Sequence, residues 1–218
     1  MPERIVVVGA GGFAREVMDI IEDLTECGHI SYEILGAIDP MPSESQLARL
    51  HSRGVRYLGD DDSWLQQPNA DRFVVALGDP VLRSRVVPRY LRAGVTPATL
   101  IHPSALVGRH TTIEEGAIVC AGAVISTNVR LSSFATVNPN ATIGHDATIG
   151  EFVSVNPGAI ISGDVSIGER TLIGAGAIVL ENLSVAADCI VGAGACVTKQ
   201  VFSGTTVIGV PARPFKFC

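Results

Sequence analysis

The stretch NPNATIGHDATIGEFVSVNPGAIISG, Asn138 to Gly163, decides how most of this chain folds. Ile143, Ile149, Val155 and Ile161 recur in it at a six-residue step. The step extends both ways, from Ile101 through Val107, Ile113, Val119, Ile125, Leu131 and Val137, and on through Ile167, Ile173, Val179, Val185 and Val191 to Val197. Every position on it is Ile, Leu or Val, with no insertion. Four residues after each stands Ala, Thr, Val, Leu or Cys, from Ala105 to Val201. Neither the helical period of about 3.6 nor the strand period of about 2 produces this pattern. A short internal repeat predicts a β-solenoid, with one short strand and one turn per hexad. The aliphatic residue points inward, and the residue four further on fits a corner. Three hexads close a triangular coil, and nearly six such coils stack at a strand spacing of about 4.8 Å. A single coil cannot bury its own interior, so the stack is the folding unit.

Before the repeat the pattern is different. RIVVVGA (Arg4 to Ala10) is an apolar, β-branched run that predicts a buried strand. FAREVMDIIEDL follows with Phe13, Val17, Ile20, Ile21 and Leu24 on one helical face. Further strands are expected in EILGAID (Glu33 to Asp39), GVRYLGD (Gly54 to Asp60) and RFVVALGD (Arg72 to Asp79). A helix is expected over Pro80 to Gly94, opening on proline and carrying Pro88 as a candidate kink. Alternating strands and helices predict a parallel sheet with helices on its faces. The chain therefore divides into an α/β unit over residues 1–98 and a β-solenoid over residues 99–218. The tail TTVIGVPARPFKFC, with Pro211 and Pro214, is expected to leave the repeat as an extended or looped cap.

Net charge is −6 over 218 residues, and the only lysines are Lys199 and Lys216. No basic stripe exists, so nucleic-acid binding is not expected. An anionic ligand would have to be met by backbone N–H groups, helix N-termini and a few arginines. Hydrophobic residues make up 47%, spread without a run long enough to span a bilayer. MPERIVVVGAGG starts a strand at once and lacks the features of a signal peptide, so the expectation is a cytoplasmic protein without membrane insertion. Cys27, Cys120, Cys189, Cys196 and Cys218 form no CxxC pair and read as reduced, mostly packing thiols. No structural metal site is expected.

Taken alone, His145 has several readings: a turn residue, a metal ligand or a catalytic base. It lies two residues after Ile143, so its side chain faces outward. Gly9, Gly11 and Ala14 match G-x-G-x-x-[GA] between a strand and a helix, which suits a nucleotide-binding turn. The acidic residue usually about twenty residues on is not clear, because Asp39 lies 30 residues after Gly9.

The order of parts resembles a known group. GAGGFAREV, then LIHPSA, then the hexapeptide repeat with GHD, then GVPAR, is similar to the bacterial hexapeptide-repeat sugar acetyltransferases. These are the nucleotide-linked 4-amino-sugar N-acetyltransferases and the related sialic acid O-acetyltransferases. The resemblance covers essentially the whole chain. It implies a Rossmann-like unit followed by a left-handed parallel β-helix, the hand resting on the resemblance alone. It also implies a homotrimer with active sites between neighbouring β-helices, acetyl-CoA as co-substrate, and a nucleotide sugar held by the N-terminal unit. The implied reaction is acetylation of the 4-amino group of a nucleotide-linked 4-amino-4,6-dideoxy sugar in bacterial glycan or polysaccharide biosynthesis.

On this resemblance His145 is the base and Asp146 its support. Gly163, eighteen residues on, leaves room for the thioester and offers an N–H to its carbonyl oxygen. Asn138 becomes a substrate contact beside His145, with a turn-stabilising ladder to Asn156 as the alternative. Gly9, Gly11, Gly12, Asp39 and Gly78 are expected at the nucleotide. Asn156, Gly174, Ala175, Gly192, Ala193, Lys199, Pro211 and Arg213 are expected along CoA, with Lys216 beside Arg213 at its phosphates. The alternative for the glycines and alanines is that the repeat requires small residues there.

Rival readings are a sugar O-acetyltransferase, a β-helix carbonic anhydrase, a non-catalytic β-helix binding protein and an NAD-linked oxidoreductase. The anhydrase needs a closely spaced histidine set on one coil, whereas the repeat holds only His102, His110 and His145. The oxidoreductase lacks a separate catalytic domain.

Overall fold

The computed structural model describes residues 2–215. The chain divides into two compact units: Met1–Gly78 with Leu82–Thr99, and Asp79–Val81 with Leu100–Cys218.

In the first unit, β1 (Glu3–Val8), β2 (Tyr32–Ile38), β3 (Arg72–Val75) and β4 (Thr96–Pro97) form one parallel sheet in the order β2-β1-β3-β4. The order reverses beside β1, which opens a crevice at the carboxyl ends of β1 and β3, where α/β sheets commonly take ligands. Helix α1 (Gly12–Glu26) buries Ala14, Val17, Met18, Ile20, Ile21 and Leu24, the face that its sequence spacing predicts. Two short helices, α2 (Glu44–Ser52) and α3 (Asp61–Trp64), were not foreseen. The first begins at a capping box, with the Ser43 hydroxyl taking the Gln46 N–H and the Gln46 side chain taking the Ser43 N–H. Helix α4 (Pro80–Arg92) runs through Pro88. The expected strand over Gly54 to Asp60 does not form. Only Tyr57 bridges Ala37, because Gly54 (φ +70°) and Gly59 (φ +91°) turn the chain on either side.

The second unit is a triangular prism built from the repeat. Its first face stacks Leu100–Ile101, Ile118–Val119, Thr136–Val137, Ser154–Val155, Leu172–Ile173 and Ile190–Val191. Its second face stacks Leu106–Val107, Val124–Ile125, Thr142–Ile143, Ile160–Ile161, Ile178–Val179 and Cys196–Val197. Its third face stacks Thr112–Ile113, Arg130–Leu131, Thr148–Ile149, Ser166–Ile167 and Ser184–Val185. Each strand pairs in parallel with the residue eighteen positions away, as with Ile143 and Ile161. From Val119 onward the predicted inward positions are at most 2% exposed. Val107, in the first coil, is 41% exposed, its strand pairing on one side with Val124–Ile125.

The tail departs from expectation at its start. Thr206–Ile208 pairs in parallel with Ile190–Val191 and so continues the first face, and the chain then reverses to pair Arg213–Pro214 antiparallel to it. Val207 is buried and stands opposite Val191, sixteen residues away rather than eighteen, so the strand stays in the stack although the step is shortened by two.

Candidate active site

Most corners of the prism turn the chain with their fourth residue in the left-handed backbone region. At the corner between the second and third faces that fourth position holds His110, Asn128, Asp146, Asp164 and Asn182, all with φ between 53° and 61°. Asn and Asp tolerate this conformation best among non-glycine residues. Asp146 therefore meets the demand of the turn, and the same geometry aims its carboxylate at the residue before it. His145 Nδ1 lies 2.7 Å from Asp146 Oδ2, and Asn128 Nδ2 donates to Asp146 Oδ1 at 3.0 Å. These hydrogen bonds, that of His145 first and that of Asn128 second, hold the Asp146 carboxyl below the usual carboxylate range. With Nδ1–H donating to the carboxylate, His145 Nε2 is left with its lone pair. The His145 side chain is 64% exposed.

Gly163 lies one coil on. A Cβ there would come within 2.6 Å of His145 Cε1 and Nε2, so the imidazole rests on the bare backbone of Gly163. Among the described residues the Gly163 N–H makes no hydrogen bond. The same holds at Thr127, His145 and Glu181 of this corner, so the free N–H is a property of the turn that Gly163 alone leaves uncovered by a side chain.

Asn138 requires a correction. It sits at the corner between the first and second faces, so within one chain it does not stand beside His145. It is 7% exposed, and its Nδ2 donates to Val155 O at 3.1 Å and to Asn156 Oδ1 at 3.2 Å. The ladder is what the structure holds. Above it on the same corner stand Gly174 and Gly192. A Cβ at Gly174 would lie 2.5 Å from Ala193 N, and one at Gly192 would lie 2.7 Å from Ile208 Cγ2. Coil stacking alone thus requires both glycines. Ala175 and Ala193 are the exposed members of the column. The tail closes over the second face, where Gly209 O accepts from Cys196 N at 3.0 Å and Ala212 N donates to Cys196 O at 2.7 Å. Pro211, which follows a cis peptide bond, Arg213 and Lys199 are exposed there. Lys216 lies outside the described residues.

A cavity of about 700 Å³ includes Lys199 and Arg213, but Val197, Val201 and Val207 also line it. Those valines are inward residues, so this cavity is the open end of the prism. It does not include His145.

In the first unit Gly9 has φ +116°, and a Cβ on it would meet Ala76 O at 3.0 Å. At the start of α1 a Cβ on Gly11 would make only an ordinary contact with Gln46 Nε2 at 3.8 Å, and one on Gly12 with Arg15 Nη2 at 3.9 Å. Asp39 Oδ2 accepts from Ala10 N at 2.9 Å and its Oδ1 from Met41 N at 3.0 Å, so this carboxylate clamps the glycine turn across the crevice. Gly78 has open space around its Cα. Sequence reasoning missed Asn128, which the eighteen-residue step from Asp146 points to, and Asp61, whose neighbours carry no period.

Among the described residues no group of three or more His, Cys, Asp or Glu is placed to hold a metal, and no helix is long and apolar enough to cross a membrane. Cys120 and Cys189 are buried free thiols, Cys196 is half-buried and Cys27 exposed, while Cys218 lies outside the described residues.

Residues 4–90 match the PglD N-terminal domain family, and residues 146–181 match the bacterial transferase hexapeptide (six repeats) family. A GDP-perosamine N-acetyltransferase of Escherichia coli O157:H7 is 35% identical over 125 residues, which are 56% of this chain and 53% of that protein. The alignment thus spans about half the length of this curated relative. Solved structures match further. PerB from Caulobacter crescentus, in complex with CoA and GDP-perosamine, is 32% identical with TM-score 0.84, covering 97% of each chain. The acetyltransferase domain of PglB from Neisseria gonorrhoeae FA1090 is 28% identical with TM-score 0.84, covering 98% of this chain and 100% of that one. A repeat without insertion, a histidine seated on a glycine and likeness across the full length of such structures converge: the chain belongs to the bacterial hexapeptide-repeat sugar acetyltransferases.

Proposed function

We propose that the protein transfers an acetyl group from acetyl-CoA to the amine of a nucleotide-linked 4-amino sugar. The observation that carries this reading is His145, oriented by Asp146 and seated on Gly163. Its support is the full-length likeness to an N-acetyltransferase solved with CoA and GDP-perosamine. Acetyl-CoA supplies the acetyl group as an activated thioester. His145 Nε2 accepts the proton that the amine loses as its nitrogen bonds to the acetyl carbon. Asp146 keeps Nδ1 as the donor and stabilises the imidazolium that forms. The Gly163 N–H faces the oxygen on which negative charge grows. The imidazolium then returns its proton to the departing CoA sulfur. Ala175 and Ala193 let the pantetheine arm run along the column, and Arg213 and Lys199 meet its phosphates. Gly11, Gly12 and the start of α1 take the diphosphate of the sugar.

The acting form is a homotrimer packed through the second face. The outward residues of that face include Leu106, Val124 and Ile160, 66%, 38% and 41% exposed. Those of the third face are Thr112, Arg130, Thr148, Ser166 and Ser184. Only the first of these two faces offers apolar area to cover. The two columns described above border it on either side. Around a threefold axis the His145 edge of one copy therefore meets the glycine column of the next, and Asn138 of the partner subunit arrives at the level of His145. Enzymes of this kind work where acetyl-CoA is made, so the location proposed is the cytoplasm.

The test is purified protein with acetyl-CoA and a panel of GDP-, UDP- and dTDP-linked 4-amino-4,6-dideoxy sugars, following CoA release and product mass. One amino sugar gaining an acetyl group as an amide is expected. Transfer only to sugar hydroxyls would place the chain in the O-acetyl branch. Binding of acetyl-CoA with no transfer to any acceptor would overturn catalysis altogether.

A further inference from the structure

The crevice at the end of β1 and β3 contains a cavity of about 150 Å³ lined by Val8, Ile38, Leu82 and Val86, with two carboxylates, Asp39 and Asp61. Whole ligands of drug size fill roughly 300 Å³ or more. This slot therefore takes one ring system, not a nucleotide sugar. Each oxygen of Asp39 already accepts one backbone N–H, which ties that carboxylate to the glycine turn. Asp61 is different. It is 5% exposed, and its Oδ1 accepts the Tyr90 hydroxyl at 2.5 Å. Tyr90 is itself 0% exposed and stacks between Phe73 at 5.1 Å and Trp64 at 5.8 Å, so the carboxylate is held in one orientation. Among the described residues Oδ2 of Asp61 has no hydrogen-bond partner. An ionised carboxylate oxygen in an apolar slot is costly unless a donor reaches it.

We propose that Asp61 is the base-reading residue of the nucleotide site and selects guanine over the other nucleobases. This rests on the reading above that the first unit holds the nucleotide of the sugar. A carboxylate only accepts. Guanine presents adjacent donors, N1–H and the 2-amino group, and both reach one carboxylate. Uracil and thymine present a single N–H between two carbonyl oxygens, which the carboxylate repels. Adenine and cytosine place a ring-nitrogen acceptor beside their amine. The apolar walls cover the faces of the ring, and Tyr90 sets the angle of approach.

The experiment measures dissociation constants of GDP, IDP, UDP and dTDP for the full chain by calorimetry. GDP is expected to bind at least about tenfold more tightly than UDP or dTDP. It should also exceed IDP, which lacks the 2-amino donor, by roughly tenfold, as befits one lost bond to a charged group. Asp61→Asn replaces one of the two acceptor oxygens by a donor, removes the charge and is expected to erase the GDP preference. Tyr90→Phe keeps the carboxylate but frees its orientation, and is expected to narrow the GDP preference over UDP without erasing it. IDP binding as tightly as GDP, a wild type that prefers UDP or dTDP, or Asp61→Asn retaining its GDP preference would each overturn the assignment. The IDP comparison needs no variant, so misfolding of Asp61→Asn does not shield the idea. Failure of acetyl transfer with GDP selectivity intact would sink the catalytic reading and leave this one standing.

Discussion

At the scale of single residues, the pair His145–Asp146 shows how a turn and a site share the same atoms. The left-handed position of the corner favours Asn or Asp, and an Asp there faces the residue before it. His145→Ala is expected to lower kcat by roughly 10²-fold or more, with secondary structure kept and a small fall in melting temperature, because Asp146 loses its first hydrogen-bond partner; steady-state CoA release checks the first, circular dichroism and calorimetry the others. Gly163→Ala pushes a methyl against the imidazole, and displacing a reacting group by about 1 Å costs on the order of 10²-fold. That variant should keep its secondary structure by circular dichroism and lose turnover. The Asp146 carboxyl lies below the usual range in the fold. The sign follows: its contribution to stability is complete above the unfolded carboxylate value and is lost as pH falls through the lower folded value. Asp146→Asn should therefore lower the melting temperature at pH 7 and leave it level with wild type in strong acid. His145 and Gly163 were legible because a strict repeat makes an outward histidine and its eighteen-residue neighbour conspicuous. Asp61 was not, since its meaning comes from Tyr90, twenty-nine residues away and brought near only by the sheet.

At the scale of elements, periodicity decided what was readable. The strands of the prism fell where the six-residue step put them, because each inward aliphatic has one place to go. In the first unit β1 and α1 carried their own signals. The Gly54 to Asp60 stretch looked like a strand by composition, but its two glycines in the left-handed region outweighed that. The ladder of Asn138 and Asn156 invites a measurement at this scale. Asn138→Ala leaves Asn156 Oδ1 without its donor, while Val155 O keeps the Asn138 backbone N–H, and should cost about 1–3 kcal/mol in chemical denaturation. Ile161→Ala, inside the same coils at 0% exposure, should cost about 2–5 kcal/mol.

At the scale of the whole molecule, the sequence told of two units and their order, while the apolar second face emerged only when exposure was known. Ile160→Glu places a charge on that face. It should convert the proposed trimer to monomer by light scattering and abolish acetyl transfer, with His145 untouched. The insertion-free repeat has one more consequence. Because every coil has the same rise, the prism is a ruler graduated in steps of about 4.8 Å. Cys196, where the tail is fastened, stands three gradations along the second face from Thr142, the strand that leads into His145. Deleting eighteen residues between them would leave every column in line and shorten the span by one whole mark. The reach between the proposed proton acceptor and the tail is thus counted in integers, and no single substitution along the prism can tune it by fractions.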